Sequence, residues 1–166
     1  MHNELTQKDI EKIKEEIEYR KLVVRKEAIE AVKEARAHGD LSENFEYHAA
    51  KKDKNKNESR IRYLERMIRT SEIVDDAKKE GVVGINSNVE LLFEEENEIE
   101  TYSIVTTVLV DTRKNRVSIE SPFGKALLGH KVGDRVFVQV RPDFGYYVTI
   151  RSITDFSDEN VTINQY

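Results

Sequence analysis

The first eighty residues of the chain hold one glycine, Gly39, and no proline. Apolar side chains on both sides of that glycine recur at helical intervals. From about residue 6 to 37 the set is Ile10, Ile13, Ile17, Val24, Ala28, Ala31 and Ala35, the stripe of an amphipathic helix. Thr6, three residues before Asp9, reads as its N-terminal cap. A second segment runs from about Leu41 to Val74 with Phe45, Ala49, Ala50, Ile61, Leu64 and Ile68, and has no apolar residue between Lys51 and Arg60. Two helices of about 30 residues would each be about 45 Å long. Each has one narrow stripe to hide, so an antiparallel coiled-coil hairpin turning at Gly39 is expected. Its seam is small near the tip (Ala28, Ala31 and Ala35 facing Ala49 and Ala50). Near the base it is larger (Ile10, Ile13 and Ile17 facing Ile61, Leu64 and Ile68).

After Asp75 short β-branched runs replace the long periodic ones. Val89–Phe93, Thr101–Val110, Arg116–Ile119, Arg135–Val140 and Tyr146–Ile153 read as strands between turn signals. SPFGKALLGH reads as a short helix that starts after Pro122 and is capped by Gly129. The expected class is α+β: a hairpin over residues 1–76, then a small domain over 77–166 with an antiparallel sheet and one helix. The tail from Asp155 is polar and reads as a last strand or a frayed end.

Charge divides along the same line. Residues 1–80 carry 19 basic and 19 acidic side chains, and the remainder carries 8 and 13, which gives the whole chain its net −5. Such a chain does not wrap a duplex by bulk attraction, so nucleic-acid contact has to be local. There is no cysteine, which removes disulfides and thiolate metal sites. No apolar run approaches the roughly 20 residues that span a bilayer, and no signal-peptide core is present. A soluble, cytosolic monomer without membrane contact is expected.

Asp40 and Glu43 stand beside the turn. In one account they form a capping box, Asp at the N-cap and Glu at N3 of the second helix. In the other they are a pair of metal-binding carboxylates. Mg²⁺ takes one or two protein carboxylates and fills its octahedron with phosphate and water, so such a pair serves an ion held mainly elsewhere. Lys51, Lys52, Lys54, Lys56 and Arg60 form a basic run just below the turn. It reads either as a solvated face or as a contact for RNA phosphates. His38 and His48 read as surface or capping residues, and Tyr47 as packed against the turn. No nucleophile elbow, phosphate loop, zinc spacing or dinucleotide fingerprint occurs, so no self-contained active site is visible.

GDLSENFEYHAAK, residues 39–51, resembles the tip signature of the Gre family of bacterial transcript cleavage factors. SIESPFGKALLGHKVGD, residues 118–134, resembles that family's second signature. The resemblance implies a coiled-coil hairpin followed by an FKBP-like domain. It implies binding to bacterial RNA polymerase at the mouth of the secondary channel, with the hairpin threaded inward. Asp40 and Glu43 would then help hold the second Mg²⁺ of the polymerase active site and promote hydrolysis of backtracked RNA. No cofactor would be bound by the chain alone. Ser121 and Pro122 fall on docking positions, and the basic run on the region that meets the nascent RNA 3′ end. The tip is nearer the GreA branch, the basic run nearer the GreB branch. Phe45 stands where an alanine is usual. Thr106 replaces a usual glycine and Val108–Val110 a usual acidic run, both in the polymerase-facing domain. RPDFGYYVTI is unusually aromatic. Three alternatives stand beside this reading: a non-cleaving regulator in the same channel, a prolyl isomerase, and a plain structural hairpin in which the two acids only cap a helix.

Overall fold

A computed structural model describes residues 3–39, 43–157 and 161–164. These fall into two compact units. One is formed by Ile10–Ser71, the other by the residues up to Asp9 together with those from Glu72 onward.

The first unit is the hairpin. Helix α1 (Gln7–Tyr19) passes through a five-residue π-helical turn, Arg20–Val24, into α2 (Arg25–Arg36), and α3 (Phe45–Thr70) returns beside them. The arms run antiparallel, since Glu16 pairs with Arg60, Arg25 with Glu58 and Ala35 with Asn44. In the return arm Tyr47, Ala50, Lys54, Asn57, Ile61, Leu64 and Ile68 turn inward, a strict alternation of three and four. In the outgoing arm Ile10, Ile13, Ile17 and Arg20 turn inward, followed by Val24, Ala28, Val32 and Ala35.

Several expected seam residues are displaced. Ala31 and Ala49 are exposed and Phe45 is 86% exposed, while Val32 and Tyr47 take inward places. The stretch without apolar residues keeps its phase, so the seam there is carried by Lys54 and by Asn57, which is 4% exposed. Spacing alone did not reveal that polar residues would hold those positions.

The second unit contains a five-stranded sheet in the order β5-β4-β3-β7-β6. Its strands are β3 (Ser87–Phe93), β4 (Glu98–Val105), β5 (Arg116–Ser118), β6 (Arg135–Arg141) and β7 (Phe144–Asp155). The sheet is mixed rather than antiparallel throughout, because β5 lies parallel to β4. A separate parallel pair joins β1 (Glu4–Leu5) to β2 (Glu72–Ile73). Helix α4 (Pro122–Leu127) covers one sheet face, with Leu127 buried among Val89, Leu91, Ile104 and Ile150. The run expected as one long strand, Thr101–Val110, stops at Val105 and continues as a 3₁₀ turn over Thr107–Leu109.

The Thr106–Val110 segment, which departs from the Gre pattern, belongs to this unit. Thr106 is 1% exposed, and its hydroxyl donates to the Asp9 carboxylate at 2.7 Å. Val108 and Leu109 are buried. The tail reaches the same segment: the Asn164 backbone N–H donates to the Val108 carbonyl and its side-chain amide to that of Thr107. Thr106, Val108 and Leu109 therefore face inward and do not themselves present a surface to a partner, while Val110 is half-buried.

Candidate functional site

The hairpin turn is built from the α3 cap outward. Asn44 occupies the N-cap, its Oδ1 accepting from the Tyr47 backbone N–H at 3.1 Å. Its amide nitrogen donates to the Ala35 carbonyl at 2.6 Å. One side chain thus starts the return helix and ties it to the end of the outgoing one. Gly39, at φ +130°, supplies a backbone conformation that L side chains rarely adopt. Tyr47 is 9% exposed, and the Arg36 guanidinium lies 5.5 Å from its ring centroid and donates to its hydroxyl. That hydrogen bond, with Lys51 and Arg36 nearby, holds the Tyr47 phenol below its ordinary pKa. His38 pairs with Glu46 at 3.0 Å on the exposed side, and His48 meets the Tyr47 ring edge-on.

This geometry corrects the capping-box account. The return helix begins at Phe45, not at Leu41, so Glu43 precedes the helix instead of standing at its third position. The cap is Asn44. Glu43 is exposed and engages no partner among the described residues. Asp40 lies outside the described residues.

The basic run divides. Lys51, Lys52 and Lys56 are exposed, while Lys54 is half-buried in the seam. Arg60 turns across the hairpin to Glu16, at 3.1 Å. Arg25 grips Glu58 through two bonds of 2.7 and 2.9 Å, which hold the Glu58 carboxyl below its ordinary range. Among the described residues no three His, Asp or Glu side chains gather as a metal site.

In the second unit Ser121 caps α4. Its hydroxyl oxygen accepts from the Gly124 backbone N–H at 3.0 Å, and the hydroxyl donates to the Ser118 carbonyl at 2.6 Å. Pro122, at the first helical position, is exposed. Phe123 stacks on Phe93 and meets Tyr102, and Tyr146 joins the same cluster. Burial and a hydrogen bond to Glu100 push the Tyr102 phenol up to about 12. Beside this cluster a recess of about 340 Å³ is floored by Phe93, Phe144 and Tyr146 and rimmed by Glu95, Glu96, Glu98 and Glu100. The aromatic count of the β6–β7 hairpin was its only trace in the sequence, because its walls come from three strands.

Comparison with known proteins agrees with both halves of this architecture. Residues 3–73 match the family model described as "Transcription elongation factor, N-terminal", and residues 78–155 match "Transcription elongation factor, GreA/GreB, C-term". The chain is 45% identical to transcription elongation factor GreA of Thermoanaerobacter pseudethanolicus, over 82% of this chain and 87% of that one. It is 44% identical to GreA of Geobacillus kaustophilus, over 81% and 86%. Among solved structures it is similar to the transcription factor Gfh1, at 27% identity over 92% and 97% of the two chains with a TM-score of 0.46. The chain belongs to the GreA/GreB family of transcription elongation factors.

Proposed function

We propose that this protein is a transcription elongation factor that enters the secondary channel of bacterial RNA polymerase and stimulates cleavage of backtracked RNA. The observation that carries the reading is the cap. Asn44 satisfies the start of α3, so the carboxylate of Glu43, exposed at the turn, has no structural duty among the described residues. An uncommitted acid at a hairpin turn fits one place in the coordination shell of Mg²⁺, which takes few protein carboxylates. When bound beside a phosphodiester, the ion lowers the pKa of water and stabilises the oxygens of an in-line displacement. Glu43 and Asp40 would hold and orient it, and the polymerase would supply the remainder of the site. The protein thus works in the bacterial cytoplasm on another enzyme's chemistry.

The exposed Lys51, Lys52 and Lys56 are suited to the phosphates of the RNA 3′ end, positioning it without reading its sequence. Arg60, already joined to Glu16, contributes to the hairpin first. Ser121 shapes the start of α4, which presents Pro122 for docking.

The test is an RNA polymerase complex backtracked on labelled RNA in the presence of Mg²⁺. Wild type shortens the transcript. Asp40→Asn with Glu43→Gln is expected to compete equally for polymerase and to leave the RNA uncut. Its unfolding midpoint should match wild type, because Asn44 carries the cap. Loss of helix stability with cleavage retained would return the two acids to a structural role.

The aromatic recess supports a second reading, a prolyl isomerase. Fold resemblance is weak support for that activity, and a tetrapeptide isomerisation assay decides it directly.

A further inference from the structure

The outgoing arm of the hairpin carries one residue too many for a regular coiled coil. Continuing the heptad past Arg20 would bring Glu27, Ala31 and Glu34 inward, and all three are exposed. Ala28, Val32 and Ala35 face inward instead, each one residue later. The offset arises in the π turn Arg20–Val24, where the Arg25 backbone N–H donates to the carbonyl of Arg20. A π turn absorbs one extra residue, and a helical residue is worth about 100° of rotation and 1.5 Å of rise. The return arm has no such offset. The turn therefore sets the angle at which α2 delivers Ala35 to Asn44.

Asn57 is placed to hold that turn. Its side-chain amide donates to the Arg20 carbonyl at 3.3 Å, the same oxygen that receives the Arg25 N–H. Its Oδ1 accepts from the Arg20 guanidinium at 3.0 Å. A polar residue in a coiled-coil seam commonly fixes register at a cost in stability, and here both ends of the amide are engaged by one residue of the partner arm. Immediately beyond it, Arg25 is clamped on Glu58.

We infer that Asn57 is a positioning residue for the tip carboxylates: it holds the π turn, and the π turn sets the rotational phase of α2 that aims the tip. The inference rests on those carboxylates acting as proposed above.

Full-length Asn57→Leu, with and without deletion of Leu22, tests it. Leucine suits a seam position in a regular helix and makes neither bond to Arg20. Deleting one residue of the turn lets the arm run as unbroken α-helix while Ala28, Val32 and Ala35 keep their inward phase. At saturating protein, Asn57→Leu is expected to lose on the order of 10- to 100-fold in RNA cleavage, with affinity for polymerase little changed. Deletion of Leu22 in the same chain is expected to restore most of it. A merely structural asparagine would not be rescued by shortening the opposite arm, so a double variant no better than the single one overturns the inference.

A second readout needs no polymerase. The chain has no cysteine, so engineered pairs report the phase directly. Cysteine at Ala50 should close a disulfide with cysteine at Val32 in preference to Ala31, and Asn57→Leu should shift that preference toward Ala31. An unchanged preference removes the register role, and a shifted preference with undiminished cleavage removes the dependence of the tip on it. Asp40→Asn with Glu43→Gln, run in the same cleavage assay, separates these outcomes from failure of the carboxylate reading. If that variant cuts RNA like wild type, the proposed function fails while the disulfide preference still decides the register.

Discussion

The hydroxyl of Thr106 shows how one atom can settle the meaning of a substitution. The Asp9 carboxylate is 1% exposed and forms a reciprocal capping box with Thr6, the two backbone N–H groups bonded at 3.0 and 3.1 Å. Thr106 adds a second hydrogen bond to the carboxylate oxygen that accepts from Thr6. Thr106→Val keeps the shape and removes the donor, leaving a buried charge less satisfied. A loss of about 1–3 kcal/mol in urea unfolding is expected, with Thr106→Ser retaining most of the stability. Docking to polymerase should not distinguish the two, because the side chain does not reach the surface.

At the scale of elements, the hairpin depends on polar contacts both at its turn and in its seam. Asn44 is the clearest case, capping α3 and joining it to Ala35 through opposite ends of one amide. Asn44→Ala removes both bonds and should destabilise the hairpin by about 1 kcal/mol through the cap, read as an earlier loss of far-ultraviolet helix signal in denaturant. Asp40→Asn and Glu43→Gln should leave that signal in place. The contrast separates the residue that builds the turn from the residues the turn presents. The π turn belongs to the same scale, since it corrects the phase of a whole helix through a few bonds near its middle.

Considered as a whole, the molecule combines two units with different sensitivities to pH. In the hairpin, Arg25 lowers the pKa of Glu58. That pair's stabilisation is present above the ordinary carboxylate value and is lost as pH falls through the depressed one. The second unit contains Tyr102, raised to about 12 by burial and by Glu100. Its stabilisation is complete below the ordinary tyrosine value of 10 and disappears as pH rises through about 12. Tyr47 in the hairpin shifts the opposite way, so alkali should spare the hairpin and loosen the sheet. Acid should weaken both units, since Arg135 likewise holds the Glu94 carboxyl, and the Lys131 backbone N–H and His130 the Asp134 carboxyl, below their ordinary ranges. Helix signal and tyrosinate absorbance, followed through the alkaline titration, check the order. Simultaneous loss of both in alkali would contradict it.

Long-range periodicity and the placing of glycine and proline were legible in the sequence because they act locally. They determined two helices turning near Gly39, a β-rich second half, the Thr6–Asp9 capping box and the Pro122 helix start. The two signature motifs carried the family. What the sequence left open depended on partners distant in the chain. Asp40 and Glu43 matched a capping box as well as a metal pair, and only the folded turn showed Asn44 doing the capping. The apolar stripe assigned Ala31 to the seam, because Ala31 and Val32 are equally apolar and differ only in helical phase. That phase depends on a π turn whose carbonyl is held by Asn57, 37 residues away. Thr106 looked like a change in a partner-facing segment, and its actual duty required Asp9, 97 residues away, to be brought alongside it. Local chemistry thus determined which elements form, and tertiary packing decided which face each presents, because a helix's phase and a hydroxyl's partner are properties of what packs against them.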